Sequence, residues 1–197
     1  MGEPISNDAL DQIFLQARSH NRWLDKPVDE ATLQRLVEIM AMGPTTANSL
    51  PARILFVRSP EAKKRLEPLL DATNRVKTMQ APVCAIIGYD LKFYEKLPRT
   101  FPHNQAARGW FEGNQPKIES TAFRNGSLQG AYFIIAARAL GLDAGPMSGF
   151  DNAGVDREFF PDGDVKSNFL CALGHGDPSA LMPRSPRLPF AEIASFV

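Results

Sequence analysis

The stretch Gly43-Pro44-Thr45-Thr46-Ala47-Asn48-Ser49-Leu50-Pro51, followed by Arg53-Ile54-Leu55-Phe56-Val57-Arg58, decides how the rest of the chain is read. Gly43-Pro44 stops a helix, since glycine favours the turn that ends one and proline cannot continue it. Before it, Leu33, Leu36, Val37 and Met40 recur at helical spacing, which predicts a helix starting after Val28. The residues from Arg53 onward are rich in β-branched and aromatic side chains and predict a strand. The polar loop between them carries amides, hydroxyls and Asn48 that can read the edge of a heterocycle. Taken alone, a turn is the simpler explanation of those residues.

Upstream, Ser6 or Asn7 can cap a first helix with apolar positions Leu10, Ile13, Phe14 and Ala17. Where it ends lies Arg18-Ser19-His20-Asn21-Arg22-Trp23. Two guanidiniums, a hydroxyl and an amide in so short a stretch suit a phosphate, with charged contacts contributing roughly 1.5–3 kcal/mol each. A solvated helix end would look the same. Downstream, Ser59-Pro60-Glu61 opens a short helix through Leu66, Leu69 and Leu70. Residues 82–89 form an unbroken apolar run, expected to be a central strand covered on both faces.

Residues 91–118 read as irregular, interrupted by Pro98, Pro102, Gly109, Gly113 and Pro116. A long helix over 118–140 follows, apolar around most of its circumference, and hence buried inside the protein or against another subunit. Within it Gly126 and Gly130 would cost about 1 kcal/mol each unless close packing required them, which predicts a helix–helix contact. After a loop comes a short helix near 155–160, then a last strand over 168–174 and a proline-rich tail over 178–197. With no linker or composition break, the expectation is a single α+β domain over 1–197.

Composition narrows the function classes. The 197 residues are 44% hydrophobic, and 22 Lys plus Arg balance 22 Asp plus Glu, so bulk charge gives no reason to expect nucleic acid or an anionic membrane as partner. Cys84 and Cys171 sit in apolar runs and read as buried strand thiols. The N-terminus lacks a signal-like pattern and no apolar run reaches the ~20 residues of a membrane span, so a cytoplasmic location is expected. No Gly-rich dinucleotide or P-loop motif is present. His20, His103 and His175 have no partners at metal-ligand spacing, so no metal is expected. Gly145-Pro146-Met147-Ser148-Gly149 reads G-x-x-S-G, which is not a nucleophile elbow.

The order of elements is more specific than any one of them. Arg18-Ser19, then Asp25-Lys26-Pro27-Val28, a helix and the 43–51 loop, resembles the nitroreductase family. So do Asn74-Arg75-Val76-Lys77 ahead of Ala81-Pro82-Val83, the run from Leu140 to Asp151 containing Gly149-Phe150-Asp151, and Arg187-Leu188-Pro189. Within that family the chain looks most like the malonic semialdehyde reductases of uracil degradation, on Phe93-Tyr94-Glu95-Lys96-Leu97-Pro98 and Thr121-Ala122-Phe123-Arg124-Asn125 among other stretches.

The resemblance implies a nitroreductase fold: a central mixed, mostly antiparallel sheet flanked by helices, with a C-terminal tail extending onto a partner subunit. It implies a homodimer with FMN at the interface and NADPH or NADH as co-substrate. Arg18, Ser19 and Arg187 would hold the phosphate, with Asn21 where many relatives have a second basic residue. Asn74 and Lys77 would meet the pyrimidine end, and Ser148 and Gly149 would lie near flavin N5. Pro44, Thr45, Thr46 and Asn48 would come from the other subunit. Ser148 stands where several relatives have Glu, and Ser185 where some have Lys, with Arg184 beside it as a substitute cation.

No protein nucleophile is required, because the flavin carries the hydride in ping-pong fashion. An acid aldehyde needs a cation for its carboxylate, for which Arg53, Arg99, Arg108 and Arg124 are candidates. Trp110 and Phe111 are expected to close over the flavin. The alternatives are a broad nitro or quinone reductase and a flavin-binding protein without turnover.

Overall fold

The computed structural model describes residues 2–197. Ser6 caps α1 (Asn7–Leu10), its hydroxyl accepting from the Ala9 amide, and wider π-helical turns continue it through Asp11–Leu15. α2 (Glu30–Ala41) starts on Asp29 and buries Leu33, Leu36 and Met40. After the polar loop come β1 (Ala52–Val57), α3 (Pro60–Leu66) capped by Ser59, α4 (Ala72–Gln80) and β2 (Val83–Asp90). Then follow α5 (Leu97–Thr100), the long α6 (Gln115–Ala139), β3 (Asp143–Met147), α7 (Asn152–Phe159), β4 (Val165–Gly174) and α8 (Phe190–Ile193).

The strands form one sheet in the order β1-β2-β4-β3, and each neighbouring pair is antiparallel. A one-residue parallel bridge between Ser19 and Ala144 lies against β3. β2 is central, as its apolar run predicts. Because successive side chains alternate faces, Val83, Ala85 and Ile87 pack under α2 and α6 with Leu36 and Phe133. Cys84 and Ile86 pack on the other face with Leu66, Leu70 and Val155.

Three expectations are corrected, and one helix that the sequence left unassigned is added. Residues 143–147, read as a loop, are the edge strand β3, where Pro146 is tolerated because an edge need not donate on both sides. Asn74 and Lys77 lie on α4, which apolar periodicity cannot reveal: its buried positions are Asn74 and Thr78, while Val76 is exposed. The 91–118 segment is not irregular. Its short helical turns close over Phe93, Leu97, Phe111 and Ile118, so Phe111, 2% exposed, is core and not a mobile lid. Gly126 and Gly130 do admit a close approach, but of the sheet: a Cβ at Gly126 would stand 2.8 Å from the Tyr89 side chain, and one at Gly130 would stand 2.5 Å from Phe169. Among the described residues no helix is long and apolar enough to cross a membrane, and no His, Cys, Asp or Glu cluster could hold a metal ion.

Candidate functional site

Residues 18–24 run beside the β3 edge and the chain that leaves β4. The His20 amide donates to Ala144 O at 3.2 Å, the Leu24 amide to His175 O at 2.8 Å, and the Asp177 amide to Arg22 O at 3.0 Å. The Trp23 indole donates to Lys77 O at 2.9 Å, which ties this segment to α4. One turn earlier on α4, Asn74 donates through Nδ2 to Gly149 O at 2.8 Å, immediately after β3. A Cβ on Gly149 would lie 2.6 Å from that Nδ2, so only glycine fits. Ser19, Asn74, Lys77, Ser148 and Gly149 are thus linked around β3, with Ser19 and Ser148 exposed.

Arg18 is half-buried and its guanidinium donates to Met182 O. Neither Arg18 nor Lys77 forms an ion pair among the described residues. Burial pushes the Lys77 ammonium below its usual pKa, so an anionic neighbour would favour its charged form. Arg184, not Arg187, comes to this end within the chain: its guanidinium donates to Ala17 O at 3.0 Å. Arg187 is exposed and turned onto the carbonyls of Ser185 and Pro186. Asn21 is exposed as well.

The 44–51 loop lies at the opposite edge, leading into β1. Thr45 Oγ1 accepts from the Leu50 amide at 3.2 Å, the Thr46 amide donates to Asn125 Oδ1 at 2.8 Å, and Asn48 donates to Thr100 O at 2.7 Å. Pro44, Thr46 and Asn48 are exposed. β1 and β3 are separated by three inter-strand spacings, about 14 Å. Along the strands the Ser19 end of the β3 group is the far one, because Ala144 is level with Leu173 and Val83 while Ala52 pairs with Tyr89; Met147, next to Ser148, is level with Leu170, Ile86 and Leu55. Within one chain the two polar groups therefore stand at opposite edges of the sheet.

The arginines proposed for a substrate carboxylate separate clearly. Arg53 is committed to Asp90 and to the carbonyls of Leu50 and Ala52, and Arg108 pairs with Glu112 at 3.0 Å. Arg99 and Arg124 are exposed and without an ion pair among the described residues. Trp110 is exposed beside Phe101. An apolar groove of about 720 Å³ lined by Phe14, Ile39, Tyr132, Ile135, Arg138 and Pro146 runs along α6. Sequence reasoning missed Asn125 and Gln129, buried polar residues one helical turn apart on α6, and the i, i+4 spacing of the two amides was the available signal.

The Nitroreductase family model matches residues 15–175. The chain belongs to the nitroreductase family. It is 62% identical over 190 residues to a candidate NADH dehydrogenase/NAD(P)H nitroreductase of Burkholderia lata, covering 96% of this chain and 97% of that one. A relative of Ralstonia pickettii, HadB, named in the same way, is 55% identical over 186 residues, 93% of this chain and 95% of its own. Among solved structures, a candidate nitroreductase of Bacillus subtilis superposes with a TM-score of 0.88 at 20% identity, over 98% of this chain and 100% of that one. One of Exiguobacterium sibiricum, solved in complex with FMN, superposes with a TM-score of 0.86 at 20% identity over the full length of both. The nitroreductase fold is thereby shown for this chain.

Proposed function

We propose that this nitroreductase-family chain is an FMN-dependent, NAD(P)H-oxidising reductase working as a homodimer, with an acid aldehyde of the malonic semialdehyde class as acceptor. The observation that carries it is the placement of two polar half-sites at opposite sheet edges: Arg18, Ser19, Asn74, Lys77 and Gly149 at β3, and the 44–48 loop at β1. Each is half a cradle, and a two-fold axis brings one against the other.

The residues fit the group. Among the described residues Arg18 and Lys77 are cations without carboxylate partners, and Asn74 and the bare backbone of Gly149 offer donors and close approach. Arg18 and Ser19 would hold the phosphate, with Arg184 or Arg187 assisting. Asn74 and Lys77 would face the pyrimidine edge, Ser148 and Gly149 the reactive nitrogen, and the partner subunit's Pro44, Thr45, Thr46 and Asn48 the other side. When bound, FMN supplies two-electron hydride transfer that no side chain here can provide. NAD(P)H, a proton and the aldehyde are converted to NAD(P)+ and the hydroxy acid. Arg99 or Arg124 would hold the acceptor's carboxylate, and Trp110 with Phe101 would exclude water.

Support for nicotinamide as reductant comes from the names of the relatives, and for FMN from the bound Exiguobacterium structure. Those names also favour a second reading, a broad nitro or quinone reductase. The visible absorption spectrum of the purified protein tests the cofactor, because a flavin band must be present. Anaerobic mixing with NADPH or NADH must bleach that band, which a flavin store without turnover would not do. The ratio of kcat/KM for malonic semialdehyde and for a nitroaromatic then decides between the two acceptors.

A further inference from the structure

Three side chains on one face of α6 hold the 44–52 segment by its backbone. Asn125 Oδ1 accepts from the Thr46 amide at 2.8 Å, Gln129 Oε1 accepts from the Ala52 amide at 2.8 Å, and the Tyr132 hydroxyl donates to Pro44 O at 3.0 Å. Their spacing, i, i+4 and i+7, puts them in one row. Asn125 is 0% exposed and Gln129 is 2% exposed. Asn125 Nδ2 is itself satisfied by Thr121 O at 2.8 Å, which fixes the amide with its oxygen toward the loop. The Tyr132 ring lies directly under Gly43, where a Cβ would stand 2.2 Å from Cδ2.

The segment needs holding. Ala47, Asn48 and Leu50 have φ of 49°, 48° and 43°, in the left-handed region that costs a non-glycine residue about 1–2 kcal/mol. Such a conformation persists only where its surroundings over-determine it. Neither burying two amides nor straining three residues benefits the core alone.

We propose that Asn125 and Gln129, with Tyr132, are positioning residues that preform this loop for the flavin site of the partner subunit. This rests on the two-copy FMN site proposed above. The role is exerted in trans: damage to the row weakens flavin binding at the site whose Arg18 belongs to the other chain.

The test uses the full-length dimer and FMN as probe. Gln129→Leu removes the acceptor while keeping the bulk, and is expected to raise the Kd for FMN about tenfold, the effect of one buried hydrogen bond lost. Tyr132→Phe, which removes one hydroxyl, is expected to raise it about threefold and serves if Gln129→Leu does not fold. Mixed dimers of a Gln129→Leu chain with an Arg18→Ala chain, isolated through two different tags, then decide the matter. In trans, one site combines an intact Arg18 with an intact loop, so the mixed dimer should bind one FMN with wild-type affinity. A merely structural or same-chain role leaves neither site intact and gives none. Wild-type affinity in both variant homodimers, or no tight site in the mixed dimer, overturns the proposal. If the wild-type protein takes no flavin, the function proposed above fails first, before any variant is made.

Discussion

Arg53 and Asp90 form an ion pair at the corner where β1 meets β2, and Lys96 closes on the same carboxylate at 2.8 Å. Burial by itself would raise the Asp90 pKa, but the Lys96 hydrogen bond, the Arg53 charge and the Lys92 amide outweigh it and hold the carboxyl below its usual value. Folding thus favours the ionised form. The stabilisation is complete above the unfolded carboxylate value near 3.9 and fades as pH falls through the lower folded one. Asp90→Asn should lose about 1–3 kcal/mol at neutral pH, towards the low end because Lys96 keeps contact with water. The deficit should shrink below about pH 4 in denaturant titrations run at several pH values. A deficit of constant size down to pH 2 would show that the charge of Asp90 is not what stabilises the corner.

The same pair explains a difference between sequence and structure. Arg53 stands directly after the polar loop, which made it an attractive carboxylate ligand, but its partner lies 37 residues away and only the antiparallel register of β1 on β2 brings it near. What was legible was local: the caps at Ser6 and Ser59, the apolar run over 82–89 that forms most of β2, the long α6, and the order of motifs that marks the family. What was not legible depended on burial without apolar pattern, as for Asn74 and Thr78 on α4, or on pairing partners, as for β3.

Of the four candidate arginines for the acid acceptor, Arg99 and Arg124 are exposed and free of ion pairs among the described residues, whereas Arg53 and Arg108 have partners in the chain. Arg99→Ala or Arg124→Ala should reduce kcat/KM for malonic semialdehyde at least about tenfold while sparing a neutral quinone, as loss of one charged contact implies. Arg108→Ala should leave both unchanged. Equal ratios of the two activities in all these variants would favour the broad reductase.

Arg18→Ala should weaken FMN by about 1.5–3 kcal/mol, since a charged contact to phosphate is lost. Riboflavin, which lacks the phosphate, should bind wild type and variant alike in fluorescence titrations. A parallel loss for both flavins would assign Arg18 to shaping the segment through its bond to Met182 O.

Gly149→Ala tests the other end of that half-site. The new methyl would stand 2.6 Å from Asn74 Nδ2 and 2.7 Å from Asp71 Oδ2, closer than a Cβ tolerates. The hydrogen bond from Asn74 to Gly149 O should break and flavin retention should fall well beyond the Arg18 effect. An alanine variant purified with a full flavin complement would mean that this turn is free to shift.

The tail carries the last prediction. Beyond Asp177 the chain leaves the sheet, and Leu188, Phe190, Ile193 and Phe196 are all exposed, Phe196 to 92%. Phe190 and Phe196 stack on each other at 5.3 Å, so the tail offers a preformed apolar knob that its own chain does not bury. The apolar groove along α6 is a surface of the complementary kind. Covering such surfaces in a permanent dimer would bury roughly 2,000–5,000 Å². Truncation after Asp177 keeps the contact of its amide with Arg22 O, but removes Met182 and Arg184, which brace residues 17–18, and Arg187 as well. The truncated chain should therefore sediment as a monomer at concentrations where the full chain is dimeric, and should be purified without flavin. Far-UV circular dichroism should stay close to wild type, because the tail adds little to the three buried clusters. A truncated protein that remained a flavin-loaded dimer would relocate the interface to α6 alone and leave the tail without a role in the site.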